Sequence, residues 1–510
     1  MKAPGQRRIS RRQLLQAGMA AGLGVAGLSA AACSEDEEQA SRAVGTVAAT
    51  AGGPVHQELV PTSDDIFATV EEIVAQGIRR PAYPADQWAE QFCLNRFRDL
   101  GLENARLEPV DVTYWEPRRW SLTTWSDADG PASGRDVPCF PLPHSAPAPQ
   151  GLDGRIELFD PQSPGAAAGN VALFDAAIGH LPYDGIAGLA SGTYDPEGTL
   201  RGYVQTLPFA AGGQDVMDPV VAAGARALVG SLSGFPGDSH EYYVPYHGVI
   251  QPIPGVWISG SEGAALREMM AAGPMRARVT VESDIHAATS NNVIGELAGA
   301  DDELVIIGSH HDGPWTSGVE DASGIALVLA QAEYWSRLTA EERPHRMIFL
   351  LNAGHMVGAA GRRAFIAAHE VDMPRTVLEV HLEHAAREFI EKDGKPAATG
   401  QPEPRWWFTT RIPQLESTVL KAIEAEKLTR SLVLPPNAFG PNPPTDGGGF
   451  NAIGVPLVSF LAAPFYLFDS TDTLDKVDRE GLTPITRATI RIVESMRGET
   501  AKSMRDAVKT

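Results

Sequence analysis

The 510 residues carry 42 Lys and Arg against 64 Asp and Glu, a formal charge of −22, with 43% hydrophobic residues and three cysteines. That length accommodates two domains or one domain with a large insert. The acidic balance argues against nucleic acid and anionic lipid as partners, and three cysteines are too few for a disulfide framework.

The first 32 residues hold five basic residues and no acidic ones, so the remainder carries −27. "SRRQLLQ", Ser10 to Gln16, places two arginines before an apolar run, Ala17 to Ala32, that is too short for an ordinary spanning helix. Residues 1–32 therefore resemble a twin-arginine signal peptide, with Leu14 where Phe is usual. The expected location is periplasmic or otherwise extracytoplasmic. The run ends in "LSAAAC", a loose lipobox, so Cys33 is either a lipid attachment point, the one expected membrane link, or a spare thiol in a cleavage region. Residues 33–55, rich in Ala, Glu, Gly and Ser, suit a flexible tether. Cys93 and Cys139 lie in no C-x-x-C motif and are read as structural or unpaired before catalytic.

Residues 56–119 open a globular part. Helices are predicted over Asp64 to Ile78 and Ala85 to Leu100, with Gly101 as the stop, and strands over residues 105–125. Gly and Pro rise across residues 120–284, where "VALFD" (171–175), "ARALVGSLS" (225–233) and "IPGVWIS" (253–259) read as strands and residues 262–273 as a helix. This segment has the character of a separate α/β insert. Residues 285–500 then alternate strands at 304–308, 347–352, 376–382 and 455–462 with helices at 324–338, 413–427 and 483–497. That order predicts an α/β fold, a mostly parallel mixed sheet sandwiched by helices, with ligands at the carboxyl ends of its strands.

The chemistry gathers at those ends. His310 and Asp312 follow the first strand two residues apart. One can hold a metal while the other orients it. Glu320 and Asp321 stand before "ASG", where a helix should begin. His355 follows the second strand by three residues. His381, Glu383 and His384 close the third. Imidazole and carboxylate together suit zinc. A lone histidine at a strand end is usually a hydrogen-bonded surface residue. Convergence of four loops on one rim is harder to obtain by accident. Neither G-x-S-x-G nor H-E-x-x-H occurs.

On these residues the chain resembles the co-catalytic zinc aminopeptidases, a family that includes aminopeptidase Y, glutamate carboxypeptidase and glutaminyl cyclase. "GSHHDG", "VEDASGIA", "TSNNVIGEL", "GVPLVSF" and "DSTDTLDKVD" carry the resemblance across roughly residues 55–500, and the 120–284 segment resembles a protease-associated domain. The resemblance implies a zinc-aminopeptidase-like fold and a site of two metals sharing a bridging aspartate. It places His310 at a ligand, Asp312 at its neighbouring aspartate, Glu320 at the bridge and Glu383 at the later acidic ligand. It also exposes losses. His355 stands at the general base, Met356 at a ligand glutamate and Phe468 at a late histidine, and neither Met nor Phe suits a hard or borderline dication. The expectation is one zinc, with two left open. His310, Glu320 and Glu383 would bind it, His355, His381 or His384 would complete the set, and His355 with Asp312 would serve catalysis. The function so implied is exported hydrolysis of a peptide or small amide, possible alternatives being a non-catalytic binding protein and a cyclase or lyase. Oligomeric state is left open.

Overall fold

The computed structural model describes residues 55–210 and 215–508. The expected signal peptide, the tether up to residue 54 and Cys33 lie outside the described residues.

Four strands form the parallel centre of the sheet, in the order Arg346–Asn352, Leu304–His310, Thr376–Leu382, Leu457–Ala462. Arg405–Thr409 adds an antiparallel strand on one side and Met275–Leu297 another on the other. The centre is apolar on both faces because helices cover both. Leu304 and Ile306 pack with Phe365 and Phe450, while Val305 and Ile307 face the helix Gly324–Ser336. Each such side chain contributes about 1.5–3 kcal/mol on full burial, which is why these strands read as unbroken hydrophobic runs. The sheet is thus the mostly parallel mixed sheet between helices that the alternation predicts.

Helix boundaries follow local chemistry. The helix Ser63–Val74 begins at a capping box between Thr62 and Asp65 and buries Ile66, Val70 and Ile73. It ends four residues before the predicted Ile78, since Gly77 takes φ +95°. The helix Leu482–Glu494 buries Leu482, Ile485, Ala488, Thr489 and Ile492 on one stripe.

Within residues 120–284, the strands Ala148–Leu158, Val171–Pro182, Ala227–Ser233 and Gly255–Ser259 pair in parallel. The long antiparallel pair Glu103–Ser126 and Met275–Leu297 joins them to the central sheet. A short strand from the same segment, Gly192–Tyr194, closes the far edge against Ser431–Leu434. Among the described residues no helix is long and apolar enough to cross a membrane. Cys93 and Cys139 are both buried free thiols, and burial pushes Cys139 up to about 12.

Candidate metal centre

Three neighbouring parallel strands deliver the site at their carboxyl ends. His310 is the last residue of its strand, which runs two residues beyond the predicted 308. His355 opens a short turn after Arg346–Asn352. Glu383 and His384 directly follow Thr376–Leu382. Glu320 and Asp321 come from the turn before the helix Gly324–Ser336. None of their side chains is more than 12% exposed, and only His355 exceeds 6%.

Glu320 lies at the middle. Its Oε1 is 3.5 Å from His310 Nε2 and 4.0 Å from His355 Nε2, and its Oε2 is 2.5 Å from His384 Nε2. Two groupings place a donor atom from each member within 4.8 Å of the others: His310, Glu320 and His384, and His310, His355 and Glu383. The outer nitrogen of each histidine is anchored. His310 Nδ1 lies 2.9 Å from Asp312 O, His384 Nδ1 3.0 Å from Ala462 O and His355 Nδ1 3.1 Å from Asp446 Oδ1. Each anchor selects the tautomer whose Nε2 lone pair points inward. Among the described residues, His310 Nε2 and Glu320 Oε1 have no hydrogen-bond partner although buried, and Glu320 Oε2 and His384 Nε2 meet only each other, at 2.5 Å. Such atoms are rare in a folded interior and mark a missing ion or water. A borderline dication that takes imidazole and carboxylate fits them.

The expected residues do not all converge. Asp312 orients His310 through its main-chain carbonyl, its carboxylate being 3.8 Å from Nδ1. That carboxylate instead accepts from the amides of His355 (3.0 Å) and Met356 (2.7 Å), fixing the turn that carries His355. His381 stands behind the site. Its Nδ1 is 2.8 Å from Glu379 and its Nε2 3.0 Å from Glu383, so it buttresses Glu383 and belongs to neither grouping. Met356 and Phe468 are buried, Phe468 with its ring 4.9 Å from that of Tyr246. Trp315 packs in the interior and donates to Phe468 O, and Trp406 and Trp407 are core residues.

Sequence reading underweighted three carboxylates. Asp446 carries the His355 bond and gives its amide to Glu383 Oε1 (3.3 Å). In "PPTDGGGF" the Gly447–Ala452 part is helical, and Asp446 just before it is fully buried. Its signal was its place, downstream of the strand end at Leu434. Asp472 accepts from the amides of Val319 (2.9 Å) and Glu320 (2.8 Å), so it holds the Glu320 turn. Asp321 accepts from Gly324 N (3.0 Å) and from the Ser309 hydroxyl.

Burial and charge act against each other here. Burial, reinforced by neighbouring His355, drives His310 well below its usual value, which keeps its lone pair free. Burial also lowers His384 and His355, but Glu320 reverses this for His384, up to about 9, and Asp446 reverses it for His355, up to about 10. Burial pushes Asp312 up to about 6 and Asp472 up to about 7, the latter against the two amides it accepts.

Residues 292–493 match the sequence profile of peptidase family M28. No curated protein sequence matches the chain. Among solved structures, the chain is similar to a peptidase M28 precursor from Shewanella amazonensis SB2B, with TM-score 0.64 and 20% identity over 85% of this chain and 92% of that one. It is also similar to an aminopeptidase from Aneurinibacillus sp. strain AM-1, with TM-score 0.60 and 18% identity over 89% and 96%. The zinc aminopeptidase BSAP from Bacillus subtilis aligns with TM-score 0.59 and 16% identity over 88% and 98%. These likenesses are of fold. Residues 292–493 thus carry the match to peptidase family M28, which agrees with the resemblance to the co-catalytic zinc aminopeptidases, and the fold around them is shared with these structures.

Proposed function

We propose that this chain is an exported hydrolase of peptide or small amide bonds that works with a single metal ion. The observation that carries the reading is the shared use of His310. Both groupings of donor atoms include it, and its Nδ1 is committed to Asp312 O, so one Nε2 lone pair remains. One lone pair holds one cation. His310, Glu320 and His384 would hold zinc, with Glu383 in reach, its Oε2 lying 3.8 Å from His384 Nε2. Bound there, the ion would act as a Lewis acid on a carbonyl and acidify water.

The chain's own residues supply the rest. His355 stacks on His310 with ring centres 4.0 Å apart and is the most exposed of the set, so it faces an arriving substrate. Asp446 fixes the proton on His355 Nδ1 and leaves Nε2 to take one from the attacking water and return it to the leaving amine, the division of labour seen in His-Asp pairs of other hydrolases. The acidic surroundings hold His355 protonated at neutral pH, and a dication beside Glu320 and Glu383 offsets that field. Asp312 and Asp472 hold the turns that carry His355 and Glu320. The twin arginines, Arg11 and Arg12, support export of the folded chain to an extracytoplasmic place, where Cys33 is the candidate lipid anchor.

The test is metal content by elemental analysis on chelator-free protein, beside a His384→Ala variant, with hydrolysis of aminoacyl and acyl amides followed in parallel. The reading expects about one zinc per chain, reduced in the variant together with activity. Two ions per chain would sink the single-ion reading. No zinc even after add-back would sink the hydrolase and favour a binding protein.

A further inference from the structure

A cavity of about 230 Å³ opens between the 120–284 segment and the later part of the chain. The segment contributes Tyr203 and Thr206 to its lining, and the later part contributes Phe389, Ile390, Glu403 and Phe465. The lining includes none of the residues of the metal centre. Phe389, Ile390 and Phe465 give it an apolar wall, and Ile390 is 48% exposed, so that wall reaches the surface.

Glu403 is the exception in this lining. It is 3% exposed and presents a carboxyl group to the cavity. Its Oε1 accepts from Gln205 Nε2 at 2.6 Å. Gln205 is fixed in that orientation. The same nitrogen donates to Ala463 O at 2.9 Å. The Tyr183 hydroxyl accepts from Trp406 Nε1 (2.7 Å), so it donates to Gln205 Oε1 (2.9 Å). Gln205 is the one side-chain hydrogen-bond partner of Glu403 among the described residues. The nearby cations are committed elsewhere. Arg430 pairs with Glu388 at 2.7 Å and donates to Pro402 O at 3.0 Å. Lys476 pairs with Asp475 at 3.0 Å and lies 4.5 Å from the Phe389 ring centre. Glu391 adds a second carboxylate at the exposed rim.

A buried carboxylate with one neutral partner is costly unless a cation joins it. One carboxylate and the Thr206 hydroxyl are too few oxygen ligands for calcium or magnesium. Apolar walls suit a carbon chain, and aromatic rings also attract an ammonium. We propose that this cavity binds a short primary alkylamine in its protonated form, its charge on Glu403 and its stem along Phe389, Ile390 and Phe465. Burial pushes the empty Glu403 carboxyl up to about 8, so at pH 7 it holds a proton that an arriving ammonium displaces. Affinity therefore rises with pH and levels off above about 8. The charged and titratable neighbours of Glu403 hold their state over that range. Against burial, Arg430 keeps Glu388 low and Glu388 keeps Arg430 high, and burial raises Tyr203. Glu391 and His180 face the cavity from the rim, and the variants below keep both.

The full chain is titrated with n-butylammonium chloride by calorimetry at about pH 6 and about pH 8.5, at constant ionic strength, with n-butanol as the neutral probe. One saturable site is expected, about tenfold or more tighter at the higher pH, with proton release at the lower. Glu403→Gln keeps the shape and removes the charge, so binding should weaken by about tenfold or more and lose its pH dependence. Ile390→Trp narrows the mouth from an exposed position and should weaken binding at both pH values. Amine binding that survives both variants but vanishes in His310→Ala would place the amine at the metal centre and overturn the proposal. So would no saturable binding at either pH, butanol binding as tightly as the ammonium, or an unchanged affinity in Glu403→Gln.

Discussion

Two buried places in this protein hold polar atoms without partners, and they are opposite in sign. Around Glu320 the unsatisfied atoms are carboxylate oxygens and imidazole nitrogens whose outer positions are already bonded. Around Arg80 they include a guanidinium nitrogen and an indole N–H. The difference lies in the outer nitrogen. Where a carbonyl anchors Nδ1, as at His310 and His384, the ring becomes a fixed lone pair and invites a cation. At His144 burial and the nearby His247 and Arg80 keep the ring neutral, so it holds one donor and one acceptor nitrogen.

The sharpest break of the comparison is at His310. His310→Ala removes the atom common to both groupings, so zinc should be lost and hydrolysis should fall by about a thousandfold or more; elemental analysis and initial rates check it. His355→Ala should keep zinc yet lower kcat by roughly 10²–10⁴-fold, as expected of a proton-transferring group. If His355→Ala also empties the site, His355 is a ligand and the base is elsewhere.

Asp446→Asn separates position from charge. Asp446 raises the proton affinity of His355, and a base works above its own pKa. Removing Asp446 should therefore lower kcat by about 10–100-fold and move the acid limb of the kcat/KM profile to lower pH. An acid limb that stays in place would assign that limb to another group.

Arg79 is the satisfied counterpart of Arg80. Arg79→Met strands three carbonyl oxygens of the loop beside the metal site and should lower stability by about 3 kcal/mol, measured by urea unfolding. A loss below about 1 kcal/mol would mean that water reaches those carbonyls and that the contrast with Arg80 is weaker than drawn.

The smallest effect concerns a buried acid with a neutral partner. Glu403 accepts from Gln205 Nε2 at 2.6 Å, and burial pushes its carboxyl up to about 8. The folded state then holds a proton that the unfolded chain releases above about 4.5, so this contribution is complete below that value and is lost as pH rises toward 8. Glu403→Gln should flatten the fall in stability between pH 5 and 8 and gain on the order of 1 kcal/mol at pH 8. An unchanged slope would mean that Glu403 is ionised in the folded chain.

Much of this was legible along the chain. The apolar runs 347–352 and 376–382 announce central strands because both faces are covered, and they fall within a residue of the observed strands. His310, Glu320, His355, Glu383 and His384 are legible as site residues because each stands at or just after a strand end or before a helix start, where a parallel sheet places its ligands. The substitutions Met356 and Phe468 are also plain in sequence, and they already argue against a second ion.

What the chain order does not contain is orientation. Asp312 and His381 have the right type and spacing to join the centre. In the folded protein the Asp312 carboxylate turns to the amides of residues 355 and 356, and His381 sits between Glu379 and Glu383. Asp446 and Asp472, distant in sequence, come into contact with the site. Hydrophobic periodicity records which face of an element is buried. It carries no information about where a polar side chain finds its partner, because that partner comes from another element. Arg80, Trp115 and His144 belong to separate elements too, and only the folded chain brings the guanidinium and the two rings together.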